Sequence, residues 1–230
     1  MDNRYFFTEI KDDSVVITGG EAQHLSRVRR AKIGDDIVAF NGDGYDYHLK
    51  INEITKDKVS ARIIDKILNR ATDDTNITVY LSMIKNDALS TAIDNLAELN
   101  VKHVKLFKSD YSVAIIDEKK LDKLNQIAIQ ASKQSERADV MKISIINKKD
   151  IQNDCKNLNT FFAYEDSNNK IEKFNGDFAV VIGPEGGFSN SENEYFSSFA
   201  KNISLSKTIL RAEVACVAGV SMLKAVCGEG

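Results

Sequence analysis

A chain of 230 residues, 43% hydrophobic and 28% charged, has the length for one or two domains and the composition of a globular protein. No apolar run approaches the ~20 residues that cross a bilayer, and Met1-Asp2-Asn3-Arg4 lacks the charged-then-apolar layout of a signal peptide, so no membrane partner is expected. A net charge of −3 gives no global pull toward nucleic acid, and Cys155, Cys216 and Cys227, with no CxxC pair, read as reduced thiols of a cytoplasmic protein with no metal site.

Strands are predicted over 4–9, 14–18, 36–41, 45–53 and 58–66, where β-branched residues such as Val15, Ile17, Val59 and Ile63 gather. Asn41-Gly42-Asp43-Gly44 marks a hairpin turn. One helix, 21–30, interrupts the strands. Short strands and tight turns in this length predict a small β-barrel domain over residues 1–70. Arg27, Arg29, Arg30 and Lys32 crowd together after Glu21. They read either as a phosphate-contacting patch or as a solvated helix face.

Residues 69–76 are polar and aperiodic, which predicts a linker. Beyond it strands and helices alternate. A strand over 77–83 precedes a helix capped by Asp87, with Leu89, Ile93, Leu96 and Ala97 on one face. A strand over 101–107 precedes an amphipathic helix over 117–135, marked by Leu121, Leu124, Ile127, Ala128 and Ala131. The basic residues between 102 and 142 read as solvated helix faces. Strands at 160–164 and 178–182, a helix at 192–201, a strand at 203–205 and a helix at 211–226 complete the series. This pattern predicts an α/β domain over 71–230 with a mainly parallel sheet.

The chain's one proline lies in Ile182-Gly183-Pro184-Glu185-Gly186-Gly187-Phe188, between an apolar strand and the helix-start signal Ser189-Asn190-Ser191-Glu192. Proline fixes its own φ and pushes Gly183 toward an extended conformation. Gly186 and Gly187 permit positive φ and the close approach of a ligand. The turn lacks the Gly-Lys-Ser/Thr ending of a P-loop and the spacing of a dinucleotide fingerprint. Glu185 would repel a polyphosphate, so an uncharged or cationic ligand suits it better. A glycine-rich strand-to-helix connection without a ligand is the other reading.

A second segment, Leu205-Ser206-Lys207-Thr208-Ile209-Leu210-Arg211-Ala212-Glu213, leads into the last helix. Arg211 and Glu213 are expected in its first turn, where unsatisfied N–H groups favour Glu213 and disfavour Arg211. Arg211 therefore needs a partner, such as Glu185 or an anionic substrate.

Ile-Gly-Pro-Glu-Gly-Gly-Phe-Ser followed by Leu-x-x-x-Ile-Leu-Arg-x-Glu resembles the SPOUT superfamily of RNA methyltransferases. More narrowly it is similar to the RsmE type, which methylates N3 of a uridine in small-subunit (16S) ribosomal RNA. Arg4-Tyr5-Phe6, His24-Leu25-Ser26-Arg27-Val28-Arg29-Arg30 and Lys32-Ile33-Gly34-Asp35 resemble that family's PUA-like barrel. Ala97-Glu98-Leu99-Asn100-Val101 and Gln130-Ala131-Ser132-Lys133-Gln134-Ser135-Glu136-Arg137 resemble two further family segments. The resemblance covers nearly the whole chain. The chain departs from the family at Ser206 and Asn100, where glycine is usual, at Val214 for Thr, at Gln130 and Lys133 for Glu, and at Arg29 for Leu.

The resemblance implies an α/β SPOUT domain with a deep trefoil knot and an N-terminal PUA-like barrel. It implies S-adenosylmethionine as cofactor, held by the end of strand 161–165, the 183–187 turn and the 205–210 loop. The cofactor residues implied are Gly183, Pro184, Glu185, Gly186, Gly187, Leu205, Ile209 and Leu210. Arg211 is implied for substrate or transition-state charge. Glu185 is implied as base or as the group orienting Arg211. Arg4, His24, Arg27, Arg29, Arg30, Gln134 and Arg137 are the implied RNA contacts. Two have competing readings: His24 as a barrel cap, and Arg137 as a helix-end cation. A homodimer completing its site across the interface, with small-subunit ribosomal RNA as partner, is also implied. The alternatives are a non-enzymatic ribosomal RNA-binding assembly factor, or a methyltransferase acting on transfer RNA or a ribose 2′-hydroxyl.

Overall fold

The computed structural model describes residues 4–71, 74–165, 167, 169 and 171–228. The chain divides into two compact units, Met1–Thr72 with Ser132–Val140, and Asp73–Ala131 with Met141–Gly230. Thr72 and Asp73 of the expected linker lie outside the described residues. Among the described residues no helix is long and apolar enough to cross a membrane.

The first unit holds β1 (Arg4–Phe6), β2 (Glu9–Lys11), β3 (Ser14–Thr18), α1 (Gly19–Gln23), β4 (Asp36–Phe40), β5 (Tyr45–Ile54) and β6 (Lys58–Leu68). They form one sheet in the order β1-β4-β5-β6-β3-β2. The expected single strand over 4–9 is two strands, and they are the two edges of this sheet. Edges so close in the chain mean that the sheet curls back on itself, as a barrel requires. Along β5, Tyr47, Leu49 and Ile51 alternate inward and join Tyr5, Val15 and Val59 in the core. The expected helix over 21–30 is α1 followed by a π-helical turn, His24–Val28, closed by the Arg29 N–H on the His24 carbonyl at 3.0 Å.

Ser132–Val140 completes this unit, which local sequence patterns do not show. The Ala138 carbonyl accepts the Gly44 N–H at 3.3 Å, and the Glu136 carbonyl accepts Asn69 Nδ2 at 2.9 Å. Lys133 Nζ lies 2.8 Å from Glu21 Oε1.

The second unit holds β7 (Ile77–Ser82), α2 (Asn86–Glu98), β8 (His103–Phe107), most of α3 (Glu118–Gln134), β9 (Lys142–Ile145), α4 (Ile151–Asp154), β10 (Asn159–Ala163), β11 (Phe174–Asn175), β12 (Phe178–Ile182), α5 (Asn190–Ser197), β13 (Lys201–Ile203), α6 (Ala212–Val226) and β14 (Cys227–Gly228). Its main sheet runs β13-β10-β12-β7-β8-β9, and every neighbouring pair is parallel. β12 is buried along its whole length, which fits an unbroken apolar run between two parallel neighbours.

Two helix ends differ in detail from expectation. Asp87 does not cap α2; Lys85 is the N-cap residue, and Asp87 sits in the first turn, where its charge still complements the helix dipole. At the other end Asn100 adopts φ +65°, its N–H bonds the Ala97 carbonyl, and the Val101 N–H bonds the Leu96 carbonyl. That is a Schellman stop with asparagine in the glycine position. It also explains why the next strand begins at His103 rather than 101.

Candidate active site

In a parallel sheet, ligand sites form beyond the carboxyl ends of strands where the strand order reverses. Here β12 lies between β10 and β7, and the chain leaves it through the glycine turn. The Gly187 N–H closes the turn on the Pro184 carbonyl at 3.0 Å. Gly187 takes φ +70°, as its lack of a Cβ allows. Gly183 does not take a positive φ and needs to be glycine for another reason: a Cβ there would lie 2.8 Å from Phe188 Cε2.

After the turn, Ser189 and Glu192 form a complete capping box, so α5 starts at Asn190 rather than at 192. Glu192 is 1% exposed, and its Oε1 takes both the Asp110 N–H at 2.9 Å and Lys148 Nζ at 2.7 Å.

A cavity of ≈ 280 Å³ opens at this end of the sheet. Its walls come from three chain segments and from the start of α6. Ala163, Tyr164 and Glu165 stand at the end of β10, and Gly183, Pro184, Gly186 and Gly187 belong to the turn. Leu205, Ser206, Thr208 and Leu210 belong to the loop before α6, which itself contributes Ala212 and Ala215. Among the described residues no lysine or arginine lines the cavity, and Glu165 is the one carboxylate in the lining.

Two of the residues expected around a cofactor, Glu185 and Ile209, are not in this lining. Ile209 is 81% exposed. Glu185 is exposed, and its Oε1 accepts the Lys85 N–H at 3.4 Å. Arg211 is the N-cap of α6 rather than a first-turn residue, with extended backbone at φ −65°, ψ 151°. Its carbonyl accepts the Ala215 N–H at 2.8 Å, and its side chain is exposed. Among the described residues it forms no ion pair, so the suggested Glu185–Arg211 contact is not made. Ser206 is satisfied within its own loop: its hydroxyl takes the Thr208 N–H at 3.1 Å and lies 3.0 Å from Thr208 Oγ1.

Tyr164, Glu165 and Thr208 also line the cavity; they belong to the strand end and the loop that the resemblance implied, though it named none of them singly. Asn193 of α5 lines it too and lies in no expected segment.

The expected RNA contacts all belong to the first unit. Arg27, Arg29, Arg30 and Gln134 are exposed. Arg29 Nη1 donates to Tyr5 Oη at 3.5 Å. His24 faces Tyr5 at 6.0 Å between ring centroids, and its buried Nδ1 has no hydrogen-bond partner among the described residues. Two arginines are held differently. Arg4 pairs with Asp46 at 2.6 Å and lies over the Phe40 ring. Arg137 is 1% exposed and grips Asp139 with two parallel bonds of 2.9 and 2.7 Å.

Comparisons with known proteins follow the same division. A family model described as an RNA methyltransferase domain matches residues 71–224, and one described as an RNA methyltransferase PUA domain matches 17–64. Ribosomal RNA small subunit methyltransferase E of Rickettsia conorii is 30% identical over 214 residues, covering 87% of this chain and 85% of the relative. Its namesake in Bacillus subtilis is 28% identical over 229 residues, covering 90% and 88%. The crystal structure of ribosomal RNA small subunit methyltransferase E from Neisseria gonorrhoeae, bound to S-adenosyl methionine, superposes with a TM-score of 0.87 at 22% identity, covering 98% of each chain. That likeness is one of fold.

Proposed function

Since the chain belongs to the RNA methyltransferase family, we propose that it transfers a methyl group from S-adenosylmethionine to N3 of a specific uridine in small-subunit (16S) ribosomal RNA. The observation that carries this reading is the convergence of three distant segments on one cavity at the carboxyl end of β12. The cavity fits the cofactor in size and charge. Its ≈ 280 Å³ is close to the ~300 Å³ lower bound of small-molecule sites. A described lining with one carboxylate and no cation suits a cationic adenosyl compound and not a polyphosphate.

When bound, S-adenosylmethionine supplies a methyl group already activated on a sulfonium. The residues of the chain then have to bind, orient and handle a proton. Gly183, Pro184, Gly186 and Gly187 offer close backbone, and Leu205 and Leu210 offer apolar walls, so positioning provides much of the acceleration. Uracil N3 carries a proton that must leave. Glu185 is assigned to it as acceptor. The unpaired guanidinium of Arg211 is assigned to the charge that develops on the uracil oxygens.

N3 is engaged in a Watson–Crick pair, so the target base must be unpaired or flipped out. The exposed Arg27, Arg29 and Arg30, with His24 and Gln134, are assigned to RNA. Arg4 and Arg137 are assigned to shaping the unit that presents these residues, because both are already held in ion pairs. A trefoil knot, a homodimer that completes the site and a cytoplasmic location belong to the same proposal.

The test is methyl transfer from labelled S-adenosylmethionine to small ribosomal subunits lacking the modification, followed by nucleoside mass analysis. N3-methyluridine, lost in Arg211→Ala, is the expected result. No transfer to subunits that an established family member does methylate would overturn the reading in favour of an RNA-binding assembly factor.

A further inference from the structure

Resting on that functional reading, we infer that Lys148 is a positioning residue for the glycine turn. It acts through Asp110 and Glu192 on the segment that carries Tyr111. Lys148 stands in a short 3-10 turn after β9, remote in sequence from both carboxylates. Its Nζ lies 2.7 Å from Asp110 Oδ1 and 2.7 Å from Glu192 Oε1. Glu192 belongs to the helix that follows the glycine turn, and Asp110 to the loop that follows β8. One ammonium thus bridges two carboxylates that would otherwise repel each other.

The α5 helix does not need this lysine, because Ser189 and Glu192 already complete its capping box. The Asp110 N–H already ties the 108–112 loop to Glu192 Oε1 at 2.9 Å, and the lysine adds a charged second tie that neutralises the two carboxylates held there. The foot of that loop is held separately by three mutually bonded hydroxyls: Ser82 to Ser109 at 2.7 Å, Ser82 to Ser112 at 2.9 Å and Ser109 to Ser112 at 2.9 Å. Ser189 Oγ adds a bond to Asp110 Oδ2 from the helix side.

Between these two anchorages stands Tyr111. Its Cβ lies 3.5 Å from where a Gly186 Cβ would be, and the residue is 53% exposed. Gly186 lines the cavity. Tyr111 thus borders the open side of Gly186, and a shift of the loop changes the space beside this part of the cavity wall. Asp110 carries the electrostatic trace of the bridge: the Lys148 hydrogen bond, then that from Ser189, holds its carboxyl below the usual range.

The chain contains no tryptophan, so Tyr111→Trp places a single indole beside the turn. The experiment compares Lys148→Met, Lys148→Arg and Asp110→Asn in that background, after showing that Tyr111→Trp alone binds S-adenosylmethionine as the parent does. In ligand-free protein, Lys148→Met is expected to red-shift the indole emission and lower its anisotropy. Its Kd for S-adenosylmethionine is expected to rise about tenfold, in KM rather than kcat, as misplacement of a binding wall predicts. Lys148→Arg is expected to restore both readouts to within about twofold, because it keeps a charge that can span two carboxylates. Asp110→Asn changes only an exposed side chain and carries the test if Lys148→Met does not fold; its expected change has the same direction and is smaller.

A Lys148→Met protein with a lowered melting temperature but unchanged emission and Kd would overturn the positioning role. So would a Lys148→Arg protein as impaired as Lys148→Met. Failure of the parent to bind S-adenosylmethionine would overturn the functional reading instead, while the ligand-free emission still judges Lys148 by itself.

Discussion

Gly183→Ala separates a glycine required by the protein's own packing from one required by a ligand. The added Cβ would sit 2.8 Å from Phe188 Cε2 and 3.1 Å from Cδ2, against the 3.5–4.0 Å at which carbon pairs are comfortable. Away from the cavity Phe188 is backed by other rings. It is stacked on Phe107 at 6.4 Å between centroids, and it meets Phe162 at 5.2 Å and Phe196 at 5.1 Å. Overpacking of this kind costs about 1–3 kcal/mol. For a chain of this size that lowers Tm by roughly 2–4 °C per kcal/mol. The assay is urea and thermal unfolding of ligand-free protein, followed by circular dichroism, for Gly183→Ala, Phe188→Leu and the double variant. Leucine removes the offending ring edge, so the alanine penalty should shrink by about 1 kcal/mol or more in the Phe188→Leu background. An alanine variant as stable as the parent, or an equal penalty in both backgrounds, would refute the steric account of Gly183.

Gly187→Ala should cost about 1–2 kcal/mol through its φ of +70° alone, whereas Gly186→Ala, which meets only an ordinary 3.5 Å contact, should stay within about 0.5 kcal/mol; parallel urea titrations decide this. Arg137→Ala should destabilise the first unit by about 3 kcal/mol, because it strands the Asp139 carboxylate, 16% exposed, and Arg137→Lys should recover only part of that loss; denaturant unfolding measures both. Burial pushes Asp154 up, but hydrogen bonds from Lys105 and Tyr80 outweigh it and hold the carboxyl below its usual value. The native group therefore releases its proton at lower pH than the unfolded chain does, near ~3.9. Its contribution is complete above that pH and is lost as pH falls through the native value, so Asp154→Asn should flatten the acid limb of a stability–pH profile.

The second unit was largely legible because its signals are local. Runs rich in β-branched or aromatic residues give β7, β10 and β12, and a 3.6-residue period gives α2 and α3, with Leu89, Ile93 and Leu96 buried as the pattern requires. β9 escaped notice because Lys142-Ile143-Ser144-Ile145 is short and half polar, and becomes a strand only by pairing with β8. β13 was expected two residues too late for the same reason: its pairing with β10, not its composition, sets its limits. In the candidate site the glycine turn and the 205–210 loop announced themselves through proline, glycine and leucine. Glu165 came in only with the strand end that the resemblance implied, since one acidic residue after a strand is ordinary until strand order puts it beside β12. Arg137 drew notice as a cation near a helix end, but its burial depends on Asp139 and on a unit whose other residues lie far earlier in the chain.

The return of Ser132–Val140 to the first unit bears on how the protein is made. Synthesis proceeds from the N-terminus at about 5–20 residues per second, so these residues follow Thr72 by roughly 70 positions and about 3–14 s. During that interval the curled sheet exists without the carbonyl of Ala138 for Gly44 or the carbonyl of Glu136 for Asn69. The nascent barrel therefore waits, incompletely bonded, while β7, α2 and β8 emerge. Shortening the chain after residue 72 would reproduce that waiting state as a permanent one. The two units of this protein interleave along the chain, so the ribosome must expose much of the second before the first can close.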